Sequence, residues 1–199
     1  MLQFIEFLGI ITFAVSGIVE ARRKGMDLVG VYTVALITAF GGGTLRDLII
    51  DRTPLFWVAN QGYAILILAL SFGAFLFPGL SRVSERAMLV PDALGLGLFS
   101  IAGASFALDA GTSPFIAALL GTATGVFGGV MRDVICNEIP SVFRNRYLYA
   151  TAAFAGCWLY MLLIAVGLAK DPAIFSGIAG VVCLRLVALR FGLRTPGGD

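Results

Sequence analysis

Thr38-Ala39-Phe40-Gly41-Gly42-Gly43-Thr44-Leu45-Arg46-Asp47 returns 86 residues later as Thr124-Gly125-Val126-Phe127-Gly128-Gly129-Val130-Met131-Arg132-Asp133, each copy inside an otherwise apolar run. At the same offset Leu8, Gly9, Phe13, Gly17, Ala21 and Gly25 match Leu94, Gly95, Phe99, Gly103, Ala107 and Gly111, Glu6 meets Asp92, and Pro54 meets Pro140. About thirteen of the fifty residues from 5 to 54 recur, which is an internal duplication rather than shared composition. The apolar setting makes the motif costly, because an Arg-Asp pair at membrane depth needs a buried or wet site. A glycine cluster there is expected to break its helix, leaving amides and carbonyls that only a cavity or packed neighbours can satisfy.

Composition places the chain in a bilayer. Of its 199 residues 59% are hydrophobic and 13% charged, and the mean hydropathy is +0.95; soluble domains carry roughly 25% charged residues. With a span needing about 20 apolar residues, seven candidates emerge, at about 2–20, 28–50, 58–77, 88–107, 114–136, 147–168 and 172–190. The reading is a single all-α polytopic transmembrane domain over 1–199: repeat one 1–80, repeat two 87–168 and an extra helix 172–190. Three spans per repeat force the second copy to enter from the opposite face, so the repeats are inverted. The first span is read as part of the mature protein, since it lacks a basic leader and has a partner in the second half.

Apart from the motif arginines, Arg22, Arg23, Lys24, Arg82, Arg86, Arg144, Arg146, Arg185, Arg190 and Arg194 fall at one side's ends, against Arg52 and Lys170 at the other. The positive-inside rule then puts the N-terminus outside and the C-terminus in the cytoplasm. Phe77 to Arg86 is expected to connect the repeats, and Thr195 to Asp199 to form a disordered tail. Cys136, Cys157 and Cys183 lack metal or disulfide spacing and read as small buried hydrophobes.

The half-helices expected at the breaks present carbonyls suited to a dehydrated cation and amides of opposite polarity. Gly41, Gly42, Gly43, Gly128 and Gly129, with the hydroxyls of Thr38, Thr44 and Thr124, are therefore candidate pore or ion-binding residues. Glycine serving close packing is the competing reading. Arg46 and Asp47 point about 100 degrees apart on a helix, so each is expected to find its partner across the symmetry axis, Arg46 with Asp133 and Arg132 with Asp47. These pairs are either internal clamps or lining of the path. Glu6 and Asp92 are expected near helix N-termini as capping carboxylates, and Arg185 is expected to snorkel to the interface. With no histidine, no GK[ST] after the glycines and no strand context for Gly95-Leu96-Gly97, enzymatic readings, cofactors, metals and nucleic acid find no support.

At these residues the chain resembles the prokaryotic branch of the trimeric intracellular cation channel family, abbreviated TRIC. The resemblance covers essentially the whole chain and rests on Gly41 to Asp47, Gly128 to Asp133 and the three-plus-three-plus-one layout. It implies a homotrimer in the inner (plasma) membrane, surrounded by lipid. Each subunit would hold its own pore, kinked at the glycine motifs of the second and fifth spans and permeable to monovalent cations, chiefly K+ and also Na+. One departure is Phe127 in the place of Gly41. Related bacterial sequences are also described as transporters of small neutral amino acids, notably glycine, and a midplane site between inverted repeats suits either activity. A purely structural scaffold is the third alternative.

Overall fold

The structure is a computed structural model that describes residues 1–77, 79, 85–143 and 148–193. Most of the expected repeat connection, the basic positions 144 and 146 and the C-terminal tail lie outside the described residues. Eight helices occur among the described residues: α1 (Leu2–Arg23), α2 (Leu28–Ile49), α3 (Phe56–Ala59), α4 (Gly62–Phe75), α5 (Glu85–Asp109), α6 (Pro114–Ile135), α7 (Ala150–Ala165) and α8 (Lys170–Phe191). Five of them, α1, α2, α5, α6 and α8, are long and apolar enough to cross a membrane. Helices α4 and α7 have 14 and 16 residues, about 20–25 Å at 1.5 Å per residue against a hydrocarbon core of about 30 Å. The segments expected at 58–77 and 147–168 are thus shorter as helices than as apolar runs.

Local chemistry repeats with the sequence. Asp27 caps α2 by accepting from the Gly30 amide, and Ser113 caps α6 by accepting from the Ile116 amide, both at the 86-residue offset. Gly25 and Gly111 take left-handed φ values of 72° and 82° just before those caps, where a Cβ would be strained. Asp51 and Asn137, at φ 54° and 55°, end the same helices in the same way. Asp and Asn are the non-glycine residues that tolerate this conformation.

Packing is reciprocal as well. Helix α1 packs on α2 as α5 packs on α6, and the two pairs meet through α1 with α5 and α2 with α6. Phe13 and Phe99 stack with centroids 5.3 Å apart. Each ring occupies the space left by the other pair's glycine: Phe99 fills it at Gly9, and Phe13 at Gly95. Helix α8 lies against α5 and α7. Outward-facing Val29, Leu48, Ile65, Phe72, Leu162 and Phe175 leave an apolar periphery, as lipid or a neighbouring subunit requires.

The expected helix breaks are absent. Both α2 and α6 run as unbroken α-helix through their glycines, and the reason is the crossing between them. A Cβ on Gly42 would land on the Thr124 carbonyl oxygen, and a Cβ on Gly128 on the Thr38 carbonyl oxygen. The glycines let two backbones touch, as small residues do between membrane helices. Gly41 leaves room for Phe127, whose Cδ1 would stand 3.7 Å from a Cβ there. The departure from the repeat is therefore a knob fitted to a hole.

Candidate functional site: two arginine-carboxylate triads at the ends of the α2-α6 crossing

One turn beyond the crossing, Arg46 in the last turn of α2 is fully buried. Its Nε and Nη2 donate to Asp47 Oδ1 at 2.8 and 2.6 Å, and Nη2 also donates to Glu6 Oε1 at 2.6 Å. Asp47 Oδ2 accepts from the Phe56 amide at 2.9 Å, which ties the chain after α2 to the site. Arg52 completes the group, with Nη1 3.3 Å from Glu6 Oε1 and 3.5 Å from Asp47 Oδ1. The Phe106 ring covers both cations, 4.4 Å from Arg46 Cζ and 4.3 Å from Arg52 Cζ.

Arg132, in the last turn of α6, builds the second triad by the same moves. Its Nε and Nη2 donate to Asp133 Oδ1 at 2.9 and 2.8 Å, and Nη1 to Asp92 Oδ1 at 2.9 Å and to Ser16 Oγ. Asp133 Oδ2 accepts from the Ser141 amide at 2.8 Å and from its hydroxyl at 3.1 Å. Three ions in low dielectric are tolerable because each carboxylate oxygen engaged has a donor at close range.

These contacts correct the expected cross-axis pairing. Arg46 does not meet Asp133, nor Arg132 Asp47; each arginine folds back onto the adjacent aspartate and reaches the carboxylate of its own repeat's first helix. The long guanidinium arm spans an angular gap that a short side chain cannot. Glu6 and Asp92 accordingly serve as counter-ions rather than caps: Glu6 lies within α1, and Asp92 follows Pro91 inside α5. Arg185 does not snorkel. It is 4% exposed, stacks 4.6 Å above the Tyr149 ring and donates to the Leu148 carbonyl. Cys136 and Cys157 are buried, but Cys183 is exposed.

The remaining candidate residues group around the crossing. Thr38 and Thr124 are buried and donate to the carbonyls four residues back, Val34 and Leu120, each at 2.6 Å. Thr44 accepts from Trp57 Nε1 at 3.0 Å. A Cβ on Gly43 would collide with the Phe56 ring, whereas one on Gly129 would stand 2.9 Å from Tyr149 Oη, 3.6 Å from Asp92 Oδ1 and 3.8 Å from Arg132 Nη2. The same motif position is filled by an aromatic ring at one triad and faced by polar atoms at the other.

The two ends differ further. A cavity of about 100 Å³ opens beside the second triad, lined by Glu20, Asp92, Arg132, Asp133, Glu138 and Ser141, among others. Glu20 occupies the repeat position of Phe106, and Glu138 that of Arg52. Ring and guanidinium close one end; at the other, four carboxylates and three arginines, Arg23, Arg132 and Arg185, border the cavity. Sequence reasoning passed over Ser16, Glu20, Arg52, Phe106, Glu138 and Tyr149. The available signal was the set of charged and aromatic mismatches within the repeat.

The fold and site define an all-helical membrane protein organised around two buried arginine-carboxylate triads. A family model described as Glycine transporter matches residues 3–78 and 89–165. A UPF0126 membrane protein of Vibrio cholerae is 36% identical over 197 residues, covering 98% of this chain and 82% of the relative. The UPF0126 inner membrane protein YadS of Escherichia coli is 33% identical over 198 residues, covering 98% and 95%. The crystal structure of the Rhodobacter sphaeroides orthologue of the TRIC trimeric intracellular cation channel superposes with a TM-score of 0.89 at 36% identity, over 96% of this chain and 98% of that one. A second TRIC cation channel structure gives 0.87 at 31% identity, over 99% and 97%. The chain belongs to the prokaryotic TRIC channel family.

Proposed function

We propose that the protein is a monovalent cation channel, chiefly permeable to K+, working as a homotrimer with one path through each subunit. The observation that carries this reading is the placement of a buried arginine-carboxylate cluster at each end of the α2-α6 crossing, one closed by Arg52 and Phe106 and the other opening on a cavity. Carboxylates outnumber arginines around the cavity at the second triad, which favours cations there, and the path assigned between the two ends runs along the backbone of the glycine motifs. Thr38, Gly41, Gly42, Gly43, Thr44, Thr124, Gly128 and Gly129 are assigned to that path, with Arg46, Asp47, Arg132 and Asp133 at its ends. On this reading the close packing of the crossing blocks the path, and conduction requires α2 and α6 to part.

The reciprocal packing of Gly9 with Phe99 and of Gly95 with Phe13 supports two inverted three-span repeats with α8 as a seventh span. The distribution of basic residues supports an outside N-terminus and a cytoplasmic C-terminus in the inner (plasma) membrane. That orientation puts the open cavity on the cytoplasmic side.

Recording from purified protein in planar bilayers under a K+ gradient tests the channel. Discrete currents reversing near the K+ potential are the expected result. The description of the matching family model favours one second reading, a secondary transporter of a small neutral amino acid such as glycine. A silent bilayer combined with saturable glycine uptake into liposomes would establish that reading instead.

A further inference from the structure

Phe40, Gly43, Thr44 and Asp47 are spaced i, i+3, i+4 and i+7 along α2 and so share one stripe of its surface. That stripe carries α3. Asp47 Oδ2 accepts from the Phe56 amide at 2.9 Å, and Thr44 Oγ1 accepts from Trp57 Nε1 at 3.0 Å. The Trp57 indole stacks on the Phe40 ring, with centroids 5.6 Å apart and planes 6° from parallel. The Phe56 ring lies over Gly43, where a Cβ would collide with it, and meets the Phe40 ring edge-on at 5.6 Å. A helix of four residues does not hold its shape unaided. Helix α3 has no side-chain cap at Leu55, and its Val58 is 54% exposed. Its place is therefore set by the α2 stripe and by Tyr63 of α4, whose ring tilts against Phe56 at 6.4 Å.

The second repeat supplies the comparison. At the 86-residue offset the stripe reads Val126, Gly129, Val130 and Asp133. Asp133 still holds an amide of the chain that follows, but at Ser141, one residue earlier in the repeat than Phe56. The two valines offer neither a ring to stack on nor a side-chain oxygen to accept a bond. Phe143, at the repeat position of Trp57, stands 73% exposed. The same segment is thus seated at one end of the molecule and unseated at the other, and the cavity lies at the end where it is unseated.

We propose that α3 is an autoinhibitory cover at the first triad, seated on the Phe40-Gly43-Thr44-Asp47 stripe in this structure and released from it when the path conducts. The inference rests on the channel reading above, which assigns Gly43, Thr44 and Asp47 to the path. Seated, α3 occupies an oxygen of Asp47, the hydroxyl of Thr44 and the open side of Gly43 at once. Released, it returns both oxygens to water and to passing cations. Water can replace each of the two hydrogen bonds at modest net cost, and a segment held by few contacts opens far more readily than the whole protein unfolds. Asp47 keeps Arg46 through its other oxygen, Oδ1, so the triad survives the release.

Hydrogen exchange at the Phe56 amide and currents in planar bilayers, both on purified full-length protein, test the cover. Trp57→Phe removes the bond to Thr44 but keeps a ring for Phe40; Trp57→Ala removes both, and neither replaces a residue assigned to the path. The expected result is a Phe56 amide that is protected in the wild type, exchanges several-fold faster in Trp57→Phe and faster again in Trp57→Ala. Open probability should rise in the same order. Amides in the middle of α1 should keep their wild-type exchange, which separates release of α3 from loss of the fold; if Trp57→Ala fails that check, Trp57→Phe decides alone. Unchanged exchange at Phe56 overturns the cover, as does faster exchange with currents that fall or stay level. A conducting wild type with either of those results removes the cover and leaves the channel. Silence in every form removes the channel; glycine uptake into liposomes that rises in the order of the exchange then keeps the cover, and uptake that does not rise overturns it.

Discussion

Arg46 Nη1 is buried without a hydrogen-bond partner because the residue at the repeat position of Ser16 is Ala102. At the second triad Ser16 Oγ accepts from Arg132 Nη1; at the first a methyl group stands in that role. The Phe106 ring beneath the guanidinium offsets part of the loss through its negative face. Ala102→Ser should therefore stabilise the protein, by about 1 kcal/mol given the cost of a buried unmade bond to a charged group, measured as a raised melting temperature. An unchanged or lowered value would mean that the hydroxyl does not reach the guanidinium. Removing the cation has the opposite sign. Arg46→Met strands Glu6 and Asp47 without their shared donor, and breaking such a buried group costs about 3–5 kcal/mol. Arg52→Gln, which removes a half-exposed side chain at longer range, should cost well under half as much in the same melts.

At the scale of the helices, the α2-α6 crossing separates glycines that admit a side chain from those that do not. Gly42→Ala and Gly128→Ala put a methyl group on a backbone carbonyl oxygen, which has no rotamer to escape through, so the helices must move apart. Each should lower stability by about 1–3 kcal/mol, the usual cost of overpacking. Gly41→Ala meets only ordinary contacts, the nearest at 3.7 Å, and should be close to neutral. Thermal melts of the three variants check the order, and equal losses would refute the crossing geometry. The sequence made the duplication legible, because it follows from a fixed offset, but the caps at Asp27 and Ser113 went unread and capping was assigned to Glu6 and Asp92 instead. It did not make legible whether Gly41 to Gly43 interrupt a helix or permit a contact, since both use the same residue and only the partner, Thr124, distinguishes them. The arginine partners escaped for a related reason. A helical wheel places Arg46 and Asp47 apart, but it takes no account of the length of the arginine arm or of Glu6 arriving from α1.

Across the whole molecule, duplication with selective divergence makes two similar ends that differ, among the described residues, in the cavity beside the second triad. Phe106, Phe56 and Arg52 close the first end, while Glu20, Tyr149 and Glu138 replace the closing groups at the second. Symmetry built the two triads, and departures from it made the two ends chemically different. Lys24 and Glu138 also clip the α1-α2 turn to the chain leaving α6, at the rim of the open end. The hydrogen bond to Glu138 raises the Lys24 ammonium above its ordinary lysine value. That contact is therefore fully present below the ordinary lysine range and is lost only as pH climbs through the raised value, so the rim should not respond to pH near neutrality. The orientation of the two ends is testable in cells. With the native cysteines replaced, Asn60→Cys lies in the exposed connection between α3 and α4, on the same side as Arg52, and Ile139→Cys lies at the exposed rim of the cavity. The orientation proposed from the charge distribution has the first outside and the second in the cytoplasm. A membrane-impermeant maleimide should label Asn60→Cys in intact cells and Ile139→Cys only after permeabilisation. The reverse pattern would invert the molecule and place the cavity beside the second triad on the external side; labelling of both in intact cells would mean that the two ends do not lie on opposite faces, and would remove the inverted-repeat arrangement with them.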